Sequence, residues 1–280
     1  MSNDVRVWVN GQRVDAGAPS IAALDHGVTV GDGVFETAKV ADGAVFALTR
    51  HSRRLDRSLA GLGLPAADHD LIAKGIEDVL SGEPIAFGRL RWSVTGGAGP
   101  LGSDRDESAL TYIVTAGAQP LPPASCKVVT VPWTRNERSA TVGLKTTSYA
   151  ENVVALAYAK ERGGLEAIFA NTRGELCEGT GSNVFVVVDG EVLTPPVESG
   201  LLPGITRGLV IEWCREAGIP VREATLPMDL LTTADEVFIT SSTKDVLPVH
   251  AVDGRELPVG PVTQAAADVF ARLSRERNDP

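Results

Sequence analysis

In "VRVWVNGQRVD" apolar and polar residues alternate on both sides of Asn10-Gly11, and "GVFETAKVADGAVFAL" repeats the alternation around Asp42-Gly43. A period of two broken by Asn-Gly or Asp-Gly predicts β-hairpins, because these residues tolerate the backbone that a tight hairpin turn needs. The period then changes. In "TRHSRRLDRSLAGLGL", Leu55, Leu59 and Leu62 recur at helical spacing and the run ends at glycine, which predicts a helix. A second helix is expected over 69–80, and "FGRLRWSVT" and "ALTYIVTAG" read as strands. The first part of the chain is thus a set of strands with one or two covering helices.

The segment "AQPLPPAS", 118–125, breaks this pattern. Pro120, Pro122 and Pro123 favour a stiff, extended connection that suits neither sheet nor helix. Beyond it, "KVVTVPW" is strand-like, 149–162 is helical, and the run from Glu166 to Pro196 is a strand meander with turns at Gly174, Gly179–Gly181 and Asp189-Gly190. "GITRGLVIEWCREAG" is a helix ended by Gly218, "DEVFITSS" is a strand, and 262–277 is a closing helix. The predicted fold is α+β in two domains with a cleft between them. The smaller spans 1–118, the linker 119–125, and the larger 126–280.

Composition narrows the function classes. The 280 residues are 43% hydrophobic and 22% charged, as in soluble globular proteins. A net charge of −10 argues against nucleic acid or an anionic membrane as partner, since both select basic surfaces. No apolar run approaches the length of a membrane span. The start "MSNDVRVWVNG" lacks a basic segment followed by an apolar core, so no signal peptide is expected. Cys126, Cys177 and Cys214 are odd in number and widely spaced, the usage of reduced, cytoplasmic thiols. The four histidines have no metal-ligand spacing.

The chemistry centres on "GLKTTSYAEN", 143–152. Ser148 and Glu151 form a capping-box pattern ahead of "VVALAYAKE", and Lys145 lies just outside that boundary. A lysine there is either a solvated surface charge or, partly desolvated, a nucleophile for a carbonyl. "LLPGITRGLVIEW" places Gly204, Ile205 and Thr206 at a helix start, where free N–H groups and the Thr206 hydroxyl either bind an oxyanion or merely begin the helix. Ser241, Ser242 and Thr243 close the strand "DEVFITSS" with hydroxyls that suit the same anion or an ordinary turn. Arg54 is a counter-charge or an exposed helix arginine. Glu178, against a glycine-rich turn, is a solvated carboxylate or an acid facing a pyridine nitrogen. Tyr149 is a core-facing tyrosine or a hydrogen-bonding partner of a cofactor phenolate oxygen. Together these residues meet the needs of pyridoxal 5′-phosphate.

The ordered segments "DHGVTVGDGVFET", "HSRRL", "LKTTSYAEN", "EAIFANTRGELCEGTGSNVF", "LPGITR" and "ADEVFITSS" closely resemble the class IV aminotransferases, the fold-type IV pyridoxal-phosphate family. The resemblance covers nearly the whole chain. It implies a two-domain α+β fold with the cofactor in the interdomain cleft, and a homodimer. Lys145 resembles the Schiff-base lysine that also moves the substrate α-proton, and Glu178 the acid at the pyridine nitrogen. Arg54, Ile205, Thr206 and Ser242 resemble the phosphate ligands, and Asn183 lies in the segment along the cofactor face. Phe35, Thr37 and Lys39 fall in a substrate-facing segment, and Thr243 is also expected to contact substrate.

Subfamily markers are mixed. D-amino acid aminotransferases resemble this chain in a lysine at position 39. Thr37 looks like the corresponding residue of 4-amino-4-deoxychorismate lyases. Branched-chain enzymes usually carry glycine there and rank lower. The segment "TGGAGPLGSDRDE", 95–107, has Leu101 and Gly102 where relatives place a carboxylate-binding arginine. Arg91, Arg105, Arg135 and Arg138 are the substitutes, each with a surface or salt-bridged alternative. The expected activity is transfer of an amino group from a D-amino acid or (R)-amine to an α-keto acid, with the lyase that releases pyruvate and 4-aminobenzoate as the alternative.

Overall fold

The structure, a computed structural model, describes residues 5–106 and 109–280. Residues 1–4, before the first hairpin, and Glu107, at the end of the 95–107 segment, lie outside the described residues. The chain divides into two compact units. The first comprises Met1–Leu121, Leu144–Ser148 and Asn278–Pro280, and the second Pro122–Gly143 and Tyr149–Arg277. The first change of unit falls inside the 119–125 stretch expected as a linker. The other boundaries depart from the expected ones. Lys145 belongs to the first unit, not to the larger one, because backbone pairing takes its segment there.

The first unit contains β1 (Arg6–Val9), β2 (Gln12–Val14), α1 (His26–Thr29), β3 (Gly33–Ala41), β4 (Ala44–Val45), α2 (Leu48–Leu62), α3 (His69–Leu80), β5 (Phe87–Thr95) and β6 (Thr111–Ala118). Its strands form one antiparallel sheet in the order β2-β1-β6-β5-β3-β4. Asn10 and Asp42 adopt φ of 45° and 49° ahead of Gly11 and Gly43, the backbone of the predicted hairpins. Alternation sends Val34, Ala38 and Val40 of β3 to one face, where Leu90, Trp92 and Val94 of β5 join them. Leu55 and Leu59 of α2 and Ile72, Ile76 and Val79 of α3 cover that face. Each such side chain contributes about 1.5–3 kcal/mol when fully buried.

Helix α2 begins at Ala47 in the left-handed region without a side-chain cap from its own flank. Asp279 supplies one from the far end of the chain: the Thr49 amide donates to its Oδ1 at 2.9 Å and the Thr49 hydroxyl to Oδ2 at 2.5 Å. A carboxylate at a helix N-terminus satisfies an otherwise orphaned N–H and complements the helix dipole. Asp279→Ala is expected to cost about 1 kcal/mol and to lower the thermal midpoint by roughly 2–4 °C, measured by circular dichroism.

The second unit contains β7 (Cys126–Arg135), α4 (Ala150–Glu161), β8 (Glu166–Asn171), β9 (Leu176–Gly179), β10 (Asn183–Val188), β11 (Glu191–Thr194), α5 (Ile205–Glu216), β12 (Val221–Glu223), α6 (Leu230–Thr233), β13 (Glu236–Ser241), β14 (Asp245–Val252), β15 (Arg255–Glu256) and α7 (Pro261–Glu276). The strand order is β12-β11-β10-β13-β14-β7-β8-β9, and β9 also pairs β10, which closes six strands into a ring. β14 with β7 and β7 with β8 are parallel, and α4 lies in the connection between the latter two. Val128, Ile168, Val184, Val186, Val237 and Ile239 pack on one side of these strands. Val129, Val131, Ala167 and Phe169 pack with Ala155 and Ala159 of α4 on the other.

The capping box predicted ahead of α4 does not form. The N-cap is Tyr149, whose side chain makes no capping hydrogen bond. The Ser148 hydroxyl donates instead to the Gly31 carbonyl at 3.0 Å, and Glu151 pairs with Arg135. Tertiary partners outcompete the local pattern. Among the described residues, no helix is long and apolar enough to cross a membrane.

Candidate active site

Lys145 sits in an extended segment that pairs with β3. The Phe35 amide donates to the Lys145 carbonyl at 2.9 Å and the Thr147 amide to the Gly33 carbonyl at 2.8 Å, with Val34 and Thr146 bridged. On the other edge, the Lys145 amide donates to the Ser58 hydroxyl of α2 at 3.1 Å. Gly61 of α2 allows this approach, since a Cβ there would run into the Leu144 side chain. The Lys145 Nζ lies 4.5 Å from the centroid of the Phe35 ring, and the Arg91 guanidinium lies 3.7 Å from the same centroid. Two cations thus share one aromatic ring, an arrangement the ring quadrupole favours.

The register of β3 and β5 explains this grouping. Phe35, Thr37 and Lys39 stand opposite Ser93, Arg91 and Arg89, and opposed residues of an antiparallel pair share a face. Lys39 is buried, with its Nζ 4.9 Å from the Phe46 ring. The other face of β3 carries Glu36, fully buried among apolar neighbours. Arg54 of α2 meets it edge-on: Nε donates to Oε1 at 2.8 Å and Nη2 to Oε2 at 2.7 Å. Nδ1 of His51 lies 2.7 Å from Oε2. Burial alone would raise the Glu36 carboxyl, but the charge and hydrogen bonds of Arg54, with the His51 contact, outweigh it and hold it down at about 2. Burial pushes the His51 imidazole down, against the pull of Glu36.

In the second unit, Glu178 ends β9. Its Oε1 accepts from Arg135 Nε at 3.2 Å and its Oε2 from the Leu202 amide at 2.9 Å. Arg135 also pairs with Glu151 and stacks on Phe169 at 4.1 Å from the ring centroid. Asn183 Nδ2 donates to the Leu202 carbonyl at 2.9 Å. Leu202 therefore ties Glu178 and Asn183 to the turn that leads into α5. That helix starts at Gly204 with no side-chain cap and no acid in its first turn. Ile205 and Thr206 are its first residues, both buried. A Cβ at Gly204 would strike the Asn183 amide oxygen, so a larger residue there would displace the Asn183 side chain.

The Tyr149 hydroxyl donates to the Thr180 carbonyl at 3.0 Å. The Thr180 amide donates to Glu166 Oε1 at 3.1 Å, and the Thr180 hydroxyl also contacts that oxygen. Glu166 further takes Ser182 Oγ at 3.1 Å and Lys244 Nζ at 3.0 Å. Ser242 and Thr243 lie in the turn between β13 and β14, just after Thr240, whose buried hydroxyl has no hydrogen-bond partner among the described residues. Arg138 is exposed, with its amide on Asn136. Arg105 forks onto Asp32 at 2.7 and 2.6 Å. The three cysteines are buried, and burial raises the Cys126 thiol to about 12 and that of Cys214 to about 11.

The sequence model of the amino-transferase class IV family matches residues 33–252. The chain belongs to this family. Among its relatives, a Methanocaldococcus jannaschii protein that carries the provisional name branched-chain-amino-acid aminotransferase is 34% identical over 276 residues, 95% of each chain. The D-alanine aminotransferase of Staphylococcus haemolyticus is 31% identical over 98% of this chain and 99% of its own. The crystal structure of the Escherichia coli branched-chain amino acid aminotransferase superposes with a TM-score of 0.88 at 28% identity, covering 96% of this chain and 94% of that one. The fold is thus the fold-type IV aminotransferase fold, and the protein is a pyridoxal-phosphate-dependent transaminase that uses an amino donor and a keto-acid acceptor.

The residues present fit that cofactor. The N-terminus of α5 has no side-chain cap, and uncapped N–H groups at a helix start are the normal seat of a phosphate. The orphaned Thr240 hydroxyl is a second buried polar group suited to a ligand-bearing neighbourhood. Glu178 accepts on both oxygens, which fixes its orientation. Of the residues expected to act, Arg54 and Lys145 belong to the first unit, and Glu178, Ile205, Thr206 and Ser242 to the second.

Sequence reasoning passed over Glu36, His51, Glu166 and Leu202. For Glu36 a signal was available. It falls in phase with Val34, Ala38 and Val40, so alternation alone puts a carboxylate on the core face, where an ion must find a partner.

Proposed function

We propose that the protein transfers the amino group of a D-amino acid to an α-keto acid. The observation that carries this reading is the placement of Arg91 and Lys145 against one Phe35 ring. It packs a guanidinium able to bind a carboxylate against the same ring as the reactive amine, in a chain that lacks arginine at positions 101 and 102. A guanidinium recognises a carboxylate by paired, charge-assisted hydrogen bonds. This favours an amino acid over a plain (R)-amine as donor. Lys39 on the same face and the D-alanine aminotransferase relative support the D-series.

Bound pyridoxal 5′-phosphate supplies an electron-withdrawing ring that stabilises charge at the substrate α-carbon. Lys145 would hold the cofactor covalently, and its Nζ would take up and return the α-proton. Glu178 would keep a proton on the ring nitrogen. Arg54, Ser242 and the first N–H groups of α5 would bind the phosphate. Arg91 would orient the donor carboxylate.

A branched-chain L-amino acid donor is the second reading, favoured by the M. jannaschii relative. The test is a half-reaction screen of the holoprotein with D-alanine, L-leucine and an (R)-amine, followed by cofactor absorbance. D-alanine is expected to react fastest, with pyruvate accumulating only when 2-oxoglutarate is present. A response to L-leucine alone would move the assignment to the second reading. Release of 4-aminobenzoate from aminodeoxychorismate without any acceptor would make the protein a lyase. Arg91→Leu is expected to raise KM for D-alanine by about 10–100-fold with a smaller effect on the (R)-amine, read from initial rates.

A further inference from the structure

Glu166 opens β8 in the second unit with its carboxylate buried, at 2% exposure. A buried ion must be paired and its lone pairs filled. Two turns from elsewhere in the chain do this. Between β9 and β10, the Thr180 amide donates to Oε1 at 3.1 Å, joined there by the Thr180 hydroxyl, and the Ser182 hydroxyl contacts Oε2 at 3.1 Å. Between β13 and β14, Lys244 Nζ donates to Oε2 at 3.0 Å and supplies the opposite charge. Both turns leave the same end of the sheet, because Asn183 at the start of β10 stands opposite Thr240 near the end of β13.

The β9–β10 turn is the fixed side of this contact. Its Thr180 carbonyl also accepts from the Tyr149 hydroxyl at 3.0 Å and from Asn152 Nδ2 on α4. On the other side, Ser241 pairs with Asp245, so Ser242, Thr243 and Lys244 form a three-residue loop. The Lys244 amide donates to the Ser241 carbonyl at 3.2 Å, and Asp245 closes the loop with a φ of 51°, the left-handed residue that such loops require. A surface lysine keeps its rotamer freedom in water. Lys244 gives it up to neutralise a buried acid, and its side chain is only 24% exposed.

We propose that Glu166 and Lys244 are a positioning pair: their contact pins the Ser242–Lys244 loop to the β9–β10 turn and so fixes the Ser242 hydroxyl for the cofactor phosphate. This rests on the reading of Ser242 as a phosphate ligand. Lys244 acts as a strut and not as an anion ligand, since its ammonium is committed to Glu166. An apolar residue at position 166 could fill the same space but could not join the two turns.

The test is a titration of the full-length apoprotein with pyridoxal 5′-phosphate and with pyridoxal, followed by absorbance, and the readout is the ratio of the two affinities. The wild type is expected to favour the phosphorylated form by at least about 100-fold. Ser242→Ala is expected to lower that ratio by about 10-fold. Lys244→Met is expected to lower it by a similar factor, to leave pyridoxal unchanged, and to have no further effect in the Ser242→Ala background, because both changes remove one interaction. Glu166→Gln is expected to lower the ratio as Lys244→Met does, and Lys244→Arg to keep it within about 3-fold. An unchanged ratio in Lys244→Met would overturn the proposal. So would additive losses in the double variant, or equal weakening of both vitamers, which is what a merely structural role predicts. Tighter pyridoxal 5′-phosphate binding in Glu166→Gln would also overturn it, by showing that a released Lys244 contacts the phosphate itself. If Glu166→Gln does not fold, the Lys244 and Ser242 variants decide by the same criteria. Two results would strike the underlying reading, and the proposal with it: a wild type that takes up neither vitamer, and a Ser242→Ala variant whose ratio is unchanged.

Discussion

Lys145→Ala is expected to yield a colourless protein with turnover reduced at least about 10⁴-fold. Two functions are lost at once. On the proposed reading the amine is both the covalent anchor of the cofactor and the group that carries the α-proton. The backbone at this position is held by the Phe35 amide and the Ser58 hydroxyl, neither of which touches the side chain. The fold is therefore expected to survive, with an unchanged circular dichroism spectrum. Lys74, exposed on α3, is the control: Lys74→Ala should remain yellow and active. Equal loss of colour in the two variants would remove Lys145 from its role.

Glu178→Gln is expected to lower kcat by about 10²-fold or more with little change in cofactor uptake. A neutral amide accepts fewer charge-assisted bonds and no longer favours a protonated ring nitrogen. The carboxylate is held between Arg135 Nε and the Leu202 amide, and Gln can keep one of these contacts with its carbonyl. The Arg135–Glu151 pair keeps Arg135 charged and compensated, so the variant is expected to fold. Stopped-flow measurement of the donor half-reaction separates this effect from weakened binding. A fall in cofactor affinity at unchanged kcat would show that Glu178 acts as an anchor and not on the ring.

Much of the architecture could be read locally. The helix over 69–80 and the strand "FGRLRWSVT" coincide with α3 and β5, because their period and boundary signals agree. The capping box before α4 misled, because Ser148 and Glu151 each met a stronger distant partner in Gly31 and Arg135. Arg135 and Arg105, both weighed as carboxylate ligands, are committed to Glu178 and Asp32. A long side chain that can pair with several acids does not announce which it will choose.

Sequence by itself determined the family, the lysine just ahead of a helix, the glycine-led start of α5 and the acid near a strand end, since each is a residue type at a local structural position. Tertiary structure alone decided that the Lys145 segment joins the first unit as a partner of β3. It also decided that β9 closes the ring of the second unit, and that Arg91, Phe35 and Lys145 share one contact. These are pairings between residues tens of positions apart. Backbone hydrogen bonding accepts any sequence, so period and propensity cannot specify the partner; only simultaneous burial of both faces selects it.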